Sequence, residues 1–281
     1  MHHFLSHLDR RWIFLLMFLA VAIPILTGVY FPVKASPMAR SVFKTIDDLP
    51  EGSKVLLAFD YDPPSMGELA PMAQAFTRHC ALKKHKLYFM TLWPQGPPMI
   101  DRSIAVLNKE FPNYKYGEDY VNFGFRPGNE GVIKVVVTNI KELYETDVAG
   151  EGLDKIPMTK DIKSVQDLDL IVNVSAGFPG AKEWVQYAAS AYKKPMVAGT
   201  TGVGAPVLYP YVPDQLTGLL GAIKAAAEYE QTIIEHYPAQ KANKDTQEAL
   251  RRMGPQDFAH LLIISLILVG NWIYFAGRKQ G

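Results

Sequence analysis

The sequence predicts an α/β, Rossmann-like three-layer domain with a mostly parallel sheet, flanked by N- and C-terminal transmembrane helices. Two observations predict this architecture. Apolar runs of 22 and 20 residues without formal charge lie at residues 12–33 and 258–277, and each is long enough for a helix to cross roughly 30 Å of hydrocarbon. Between them, short apolar runs alternate with amphipathic helical segments, a pattern typical of a parallel sheet covered by helices on both faces.

The two apolar runs divide the chain into seven parts. In chain order, we expect an N-terminal tail at 1–11, a transmembrane helix at 12–33, a connecting helix at 34–53, an α/β soluble domain at 54–236, a linker or stalk at 237–257, a second transmembrane helix at 258–277 and a C-terminal tail at 278–281. An anchor is favoured over a cleaved signal peptide because no small-x-small cleavage site follows the first run. Asn271 is a candidate contact between membrane helices, since polar residues favour helix packing in lipid.

Each predicted element of the middle region has a local reason. Ser36 is the expected N-cap of a helix over 36–49, with Pro37 at its first position. Apolar runs predict buried strands at 54–60, 87–93, 121–125, 169–174 and 195–198. Amphipathic patterns predict helices at 65–84, 98–111, 131–144, 180–192 and 215–236, and a helical stalk at 243–253. Segments rich in glycine, proline or polar residues predict irregular structure at 145–164 and 200–213.

Composition excludes several classes of function. The chain has 29 basic and 28 acidic residues, so no strong field is available to gather nucleic acid. Its single cysteine, Cys80, rules out an intrachain disulfide and cannot form a thiolate metal site alone. The expected partners are therefore the lipid bilayer and a protein partner or second copy, and no cofactor is identified.

Polar and glycine-rich segments follow the predicted strands. Ligands of doubly wound sheets bind outside the carboxyl ends of the strands, so these segments are expected to meet there. The candidate ligand-binding residues are Asp60, Asp62, Gln95, Ser175, Thr200, Gly202 and Gly204. The glycines from 199 to 204 can form a nest of backbone N–H groups for an anion, although turn formation is the commoner role of such a cluster.

No motif identifies a catalytic residue or a metal site. The glycine cluster is not followed by Lys-Ser/Thr and does not follow the first strand, so it is neither a phosphate loop nor a dinucleotide fingerprint. Ser175 lacks the Gly-x-Ser-x-Gly pattern because Asn173 stands at its first position. His79 and His85 are expected on the surface of a basic helix end.

The apolar strand ending in Asp60-Tyr61-Asp62 resembles the first motif of haloacid-dehalogenase-like phosphotransferases. The resemblance implies a nucleophilic first carboxylate, a second carboxylate acting as general acid, and Mg²⁺. The later acidic motif that completes the metal site is missing, since the last predicted strand runs into Gly199-Thr200-Thr201. The alternative is that one of the two aspartates caps the following helix or forms a salt bridge at the sheet rim, and we prefer it.

Two aromatic segments, at 114–128 and 209–211, are candidate interfaces because tyrosine and arginine are enriched where proteins meet. They are equally compatible with a rim packed on the end of the sheet. The candidate interface residues are Tyr116, Tyr120, Phe123, Arg126, Tyr209 and Tyr211.

Several segments together resemble an uncharacterised group of bacterial membrane proteins with an α/β domain between two terminal spans. These are LDRRWIF at 8–14, residues 59–63 and 91–96, GEDYVNFG at 117–124, residues 209–211 and LLGAIKAAAEYE at 219–230. The resemblance implies architecture and a bacterial inner or plasma membrane, and it transfers no catalytic residue. Arg10 and Arg11 abut the first span, which favours cytoplasmic termini and an extracytoplasmic soluble domain.

Three functions remain open from the sequence. The favoured one is a membrane-anchored, non-enzymatic subunit or accessory factor of a membrane protein complex, acting through its α/β domain. The first alternative is a small-ligand-binding domain associated with a transporter. The second alternative is a Mg²⁺-dependent phosphohydrolase centred on Asp60 and Asp62.

Overall fold

The structure is a computed structural model that describes residues 9–278. The chain separates into two compact units. The α/β unit comprises Lys34–Ala249, and the helical unit comprises Met1–Val33 together with Leu250–Gly281.

The α/β unit contains one sheet of six parallel strands. The strands are β1 Lys54–Asp60, β2 Lys86–Thr91, β3 Tyr120–Phe125, β4 Leu170–Ser175, β5 Met196–Thr200 and β6 Gly218–Gly221. Their order is β3-β2-β1-β4-β5-β6 and every neighbouring pair is parallel. This order reverses direction between β1 and β4, as in the doubly wound Rossmann arrangement. The α/β class and the parallel sheet predicted from the sequence are confirmed.

Ten α-helices lie in the described part of the chain. They are α1 Arg10–Thr27, α2 Pro37–Asp47, α3 Met66–Leu82, α4 Pro97–Glu110, α5 Glu130–Val136, α6 Ala181–Trp184, α7 Ser190–Tyr192, α8 Ala205–Leu208, α9 Ala222–His236 and α10 Glu248–Arg278. A π-helical turn, Val185–Ala189, joins α6 to α7. Short 3₁₀ turns occur at Pro63–Ser65, Ile140–Glu142, Val165–Asp167, Tyr209–Tyr211, Pro238–Ala242 and Lys244–Gln247.

The connecting helix predicted at 34–53 is present as α2, and it lies within the α/β unit, which begins at Lys34 and not at residue 54. Ser36 caps this helix as predicted, its side chain accepting from the Ala39 N–H. Val42 and Ile46 are fully buried because α2 packs against β6 and α9. The apolar stripe that predicted the helix is therefore a core contact.

The predicted helix over 215–236 is wrong at its beginning. Residues 218–221 form β6, an edge strand paired with β5, and α9 begins only at Ala222. Leu219 and Leu220 are both buried, although adjacent residues of a strand point to opposite faces. Two leucines between glycines are locally compatible with a helix or with a strand. Hydrogen bonding to β5 makes this segment a strand.

The predicted linker at 237–257 is also corrected. Residues up to 249 belong to the α/β unit, where the Ala249 N–H donates to the buried Glu230 carboxylate over 2.9 Å. Helix α10 then continues through Gly254 and Pro255 without a break. A Cβ at position 254 would lie 2.1 Å from the Val29 carbonyl oxygen, so this glycine serves a close approach within the helical unit.

Two helices, α1 and α10, are long and apolar enough to cross a membrane. Helix α1 is shorter than the predicted span at 12–33, because it ends at Gly28 in the left-handed conformation. The apolar windows of the two helices are 6% and 0% buried, so their side chains are almost uncovered in the described chain. Asn271, the candidate helix contact, is exposed.

Candidate functional site

The crevice between β1 and β4, where a doubly wound sheet normally binds its ligand, is filled by tryptophan side chains. Trp93, which follows β2, donates its indole N–H to the Pro179 carbonyl oxygen at 2.7 Å. A Cβ at Gly177, beyond the end of β4, would lie 3.7 Å from the Trp93 ring. Trp184 is fully buried beside the carboxylate of Asp60. The switch point is therefore part of the core.

Asp60 is enclosed by three N–H donors. Its Oδ1 accepts from the Leu92 backbone at 2.7 Å, and its Oδ2 accepts from Asn173 Nδ2 at 2.7 Å and from Trp184 Nε1 at 3.0 Å. The residue has no exposed surface. Burial raises the pKa of Asp60 to about 7, and the N–H donors act in the opposite direction. A carboxylate engaged in this way holds β1, β4 and the helix that begins at residue 181 together, and it cannot approach a substrate.

The raised pKa of Asp60 predicts a specific pH dependence of stability. Because the folded-state pKa, about 7, exceeds the ordinary value of 3.8, the contribution of Asp60 is fully present below about pH 4 and is lost as the pH rises to 7. The free energy of unfolding of the wild type, relative to Asp60→Asn, should fall by roughly 3 kcal/mol over this range. Urea titrations of both full-length proteins in detergent, followed by near-UV circular dichroism, measure it. A difference that is constant with pH would contradict the prediction.

Asp62 has a separate, local role. Its side chain accepts from the Ser65 N–H at 3.2 Å and from the Ser65 hydroxyl at 2.6 Å, which caps the 3₁₀ turn Pro63–Ser65. Asp62 thus caps this turn, whereas the following helix α3 has Ser65 as its N-cap residue and no side-chain cap hydrogen bond. Within residues 9–278, no three histidine, cysteine or acidic side chains are grouped to hold a metal ion. Asp60 and Asp62 therefore take part in separate hydrogen-bond networks and do not share one open site.

An open cleft of about 280 Å³ lies beside the filled switch point, at the carboxyl ends of β4 and β5. Its walls come from the segments that follow these two strands. The lining residues are Ser175, Ala176, Gly177, Phe178, Ala181, Lys182, Glu183, Thr200, Gly204, Val207 and Leu208. Phe178 and Val207, both in this lining, are 61% and 54% exposed, so apolar surface of the cleft is open to water. The cleft has the concave, mainly apolar character of a small-molecule site.

The floor of the cleft is held by hydrogen bonds between the strand ends. Ser175 Oγ accepts from the Ala181 N–H at 2.9 Å, and Thr200 Oγ1 donates to the Ser175 carbonyl oxygen at 3.0 Å. A Cβ at Gly204 would lie 2.5 Å from Thr200 Oγ1, so only glycine allows α8 to begin this close to the strand end. These contacts fix the shape of the floor before any ligand enters.

Three of the seven predicted ligand residues, Ser175, Thr200 and Gly204, line this cleft. Asp60 lies in the core and Asp62 caps a turn, while Gln95 is exposed outside the lining. The remaining candidate, Gly202, donates its N–H to Glu68 Oε2 at 2.9 Å. This N–H of the predicted nest is therefore already bound to a carboxylate of the protein.

Sequence reasoning missed Phe178, Lys182, Glu183 and Val207. Glu183 Oε2 accepts from the Gly180 N–H at 2.9 Å, which closes the turn between β4 and α6. Their position in the sequence could have indicated Lys182 and Glu183. The first turn of a helix that follows a parallel strand lies at the carboxyl edge of the sheet, where ligands bind.

The aromatic segments divide between core and surface. Tyr120 and Phe123 are 6% and 2% exposed, so they pack in the core and are not available to a partner, which corrects their assignment as interface candidates. Tyr116 is partly exposed and donates its hydroxyl proton to Asp147. Arg126 lies over the Tyr144 ring, 4.9 Å from its centre.

The second aromatic segment lies near the cleft. Tyr209 is exposed, and Tyr211 is half-buried and accepts a hydrogen bond from Gln186 Nε2 at 2.8 Å. The segment forms a 3₁₀ turn, Tyr209–Tyr211, directly after α8, so part of the loop predicted at 200–213 is helical.

The prediction of surface positions for His79 and His85 is wrong, since both are fully buried. His79 Nδ1 lies 2.7 Å from the Tyr229 hydroxyl and its Nε2 lies 3.2 Å from Asp47 Oδ1. Burial lowers the pKa of His79. The physical reason is that α9 covers α3, so the basic end of α3 is only partly solvated.

No protein-family model matches the chain, and no curated protein sequence matches it. The structural class of this protein is therefore defined by its fold and its cleft. It is a doubly wound α/β domain with a pocket beyond β4 and β5. The same chain carries two helices that are long and apolar enough to cross a membrane.

Proposed function

We propose that this chain is a membrane-anchored protein whose α/β unit binds a small ligand in the cleft beyond β4 and β5. The observation that carries the proposal is the cleft itself, in which exposed Phe178 and Val207 stand above a hydrogen-bonded polar floor. Apolar surface exposed to water in a concave site raises the free energy of the unliganded protein. A ligand that covers this surface lowers that free energy. This function is non-enzymatic and corresponds to a ligand-binding component, for example of a transporter.

The anchoring belongs to the same proposal. The uncovered apolar windows of α1 and α10 favour lipid as their environment. With two spans, both termini lie on one side of the membrane. Arg10 and Arg11 at the start of α1 favour the cytoplasm for the termini, and the proposal therefore includes an extracytoplasmic α/β unit at a bacterial inner membrane.

A second candidate function is that of a subunit or accessory factor in a membrane protein complex. It is favoured by four exposed apolar or aromatic side chains in the segments after β4 and β5: Phe178, Val203, Val207 and Tyr209. Exposed apolar groups of this kind are common where proteins meet. Mass spectrometry of particles extracted gently from native membranes tests this candidate. A stoichiometric partner or a homo-oligomer supports it, and a bare monomer contradicts it.

Filling the cleft should abolish ligand binding. A panel of amino acids, sugars, nucleotides and carboxylic acids is screened by thermal unfolding of the full-length protein in nanodiscs. A bound compound raises the melting temperature by mass action, about 2.7 kcal/mol of stabilisation at 100 times its Kd. Val207→Trp should remove this stabilisation, because residue 207 lines the cleft and its side chain is half-exposed.

Val203→Trp is the matched control, because Val203 is 89% exposed and lies outside the cleft lining. This variant should respond to the same compounds as the wild type. The proposal fails if no compound of the panel stabilises the wild type, or if Val207→Trp keeps the full response.

A further inference from the structure

The cleft contains one cationic and one anionic side chain, Lys182 and Glu183. Neither of them forms an ion pair within the described range 9–278. Other cations of the α/β unit, such as Arg78 and Lys86, do have carboxylate partners. The cleft therefore contains two opposite charges, and neighbouring side chains of the described chain pair with neither of them.

Glu183 is the more enclosed of the two charged side chains. The residue is only 8% exposed. One carboxylate oxygen accepts from the Gly180 N–H, while the other accepts no hydrogen bond from the described chain. This second oxygen is not buried, so a cationic donor of a ligand can reach it, and an ammonium group forms a strong, charge-assisted hydrogen bond with a carboxylate.

Lys182 stands next to this carboxylate in the sequence and is exposed. Its ammonium group is a compact point charge on a flexible stem, suited to a carboxylate or phosphate oxygen of a ligand. A polyphosphate is disfavoured, because one lysine would face several negative charges while Glu183 repels them. A single carboxylate matches the charge that the cleft supplies.

The rest of the lining is apolar. Phe178 and Val207 form its exposed part, and Ala181 and Leu208 lie beneath them. This surface accepts an apolar side chain of the ligand and gains the free energy of removing it from water. The volume of about 280 Å³ is just below the usual range of ligand sites, roughly 300–1,000 Å³, so the cleft suits a small ligand.

From these features we infer that the cleft binds a free α-amino acid with a large apolar side chain. Its ammonium group pairs with Glu183, its carboxylate with Lys182, and its side chain packs against Phe178 and Val207. This inference rests on the proposed function and specifies the ligand class of the same cleft.

The test compares L-phenylalanine with two compounds that each lack one charge, 3-phenylpropanoate and 2-phenylethylamine. Binding to the full-length protein is measured by calorimetry in nanodiscs of phosphatidylglycerol, which contain no competing ammonium lipid. L-phenylalanine should bind, and each single-charge analogue should bind at least about tenfold more weakly, because it leaves one charge of the cleft unpaired.

Two charge-removing variants complete the test. Lys182→Gln and Glu183→Gln should each weaken L-phenylalanine binding by at least about tenfold. Glutamine at 183 retains an oxygen that accepts from the Gly180 N–H, so the turn is preserved. Lys160→Gln, at an exposed position outside the cleft, should bind as the wild type does. Should Glu183→Gln fail to fold, Lys182→Gln and the two analogues still decide the question.

The outcomes separate this inference from the proposed function. If no α-amino acid with a large apolar side chain binds while another compound of the panel stabilises the wild type but not Val207→Trp, the inference is overturned and the ligand-binding function stands. Equal binding of the three phenyl compounds, or unchanged binding in Lys182→Gln, also overturns it. If no compound binds at all, both proposals fail.

Discussion

Replacing Asp60 with alanine is expected to lower the free energy of unfolding of the α/β unit by about 3–9 kcal/mol. The substitution leaves three buried donors without an acceptor: the Leu92 N–H, Asn173 Nδ2 and Trp184 Nε1. Each buried, unsatisfied polar group costs about 1–3 kcal/mol. The measurement is urea unfolding of the full-length variant in detergent, followed by near-UV circular dichroism of the tryptophans.

Asp62→Ala is the matched control, two residues away in the same segment. It removes only the cap of the turn Pro63–Ser65, and such a loss costs about 1 kcal/mol. Equal effects of the two substitutions would contradict the structural role assigned to Asp60. A hydrolase centred on the pair would instead lose activity with either change at little cost in stability.

Most of the sheet could be predicted from the sequence because its central strands are apolar on both faces. The run KVLLAFD coincides with β1, and the runs for β2, β3 and β4 are displaced by two residues at most. The edge strand β6 could not be found in this way. Only its pairing with β5 separates a strand from a helical turn there, and that contact is between distant parts of the chain.

The candidate site was predictable in its location and not in its detail. The rule that ligands bind beyond the carboxyl ends of the strands correctly selects Ser175, Thr200 and Gly204 as neighbours. It also selects Asp60, which the structure places in the core. The burial of Asp60 depends on Trp184, which is 124 residues away in the sequence. No local pattern around Asp60-Tyr61-Asp62 indicates that a distant indole covers the first carboxylate.

Glu110→Gln should destabilise the α/β unit by about 3–5 kcal/mol, through the buried ion pair between α3 and α4. Arg78 is 1% exposed and donates two parallel hydrogen bonds to Glu110, from Nε at 2.7 Å and from the terminal Nη2 at 2.8 Å. Removing the carboxylate charge leaves a buried guanidinium uncompensated, which is the costly way to break such a pair. The free energy of unfolding is measured by urea titration of the full-length protein.

The double variant Arg78→Met/Glu110→Leu separates the cost of an orphaned charge from the value of the pair itself. Replacing both partners with apolar side chains of similar size removes the unpaired guanidinium, so most of the lost stability should return. Lys84→Gln breaks an ion pair with Glu51 whose side chains are about two-thirds exposed, and this control should change stability very little. If the double variant is no more stable than Glu110→Gln, the pair contributes favourable energy of its own, and the loss in the single variant does not come from desolvation of Arg78.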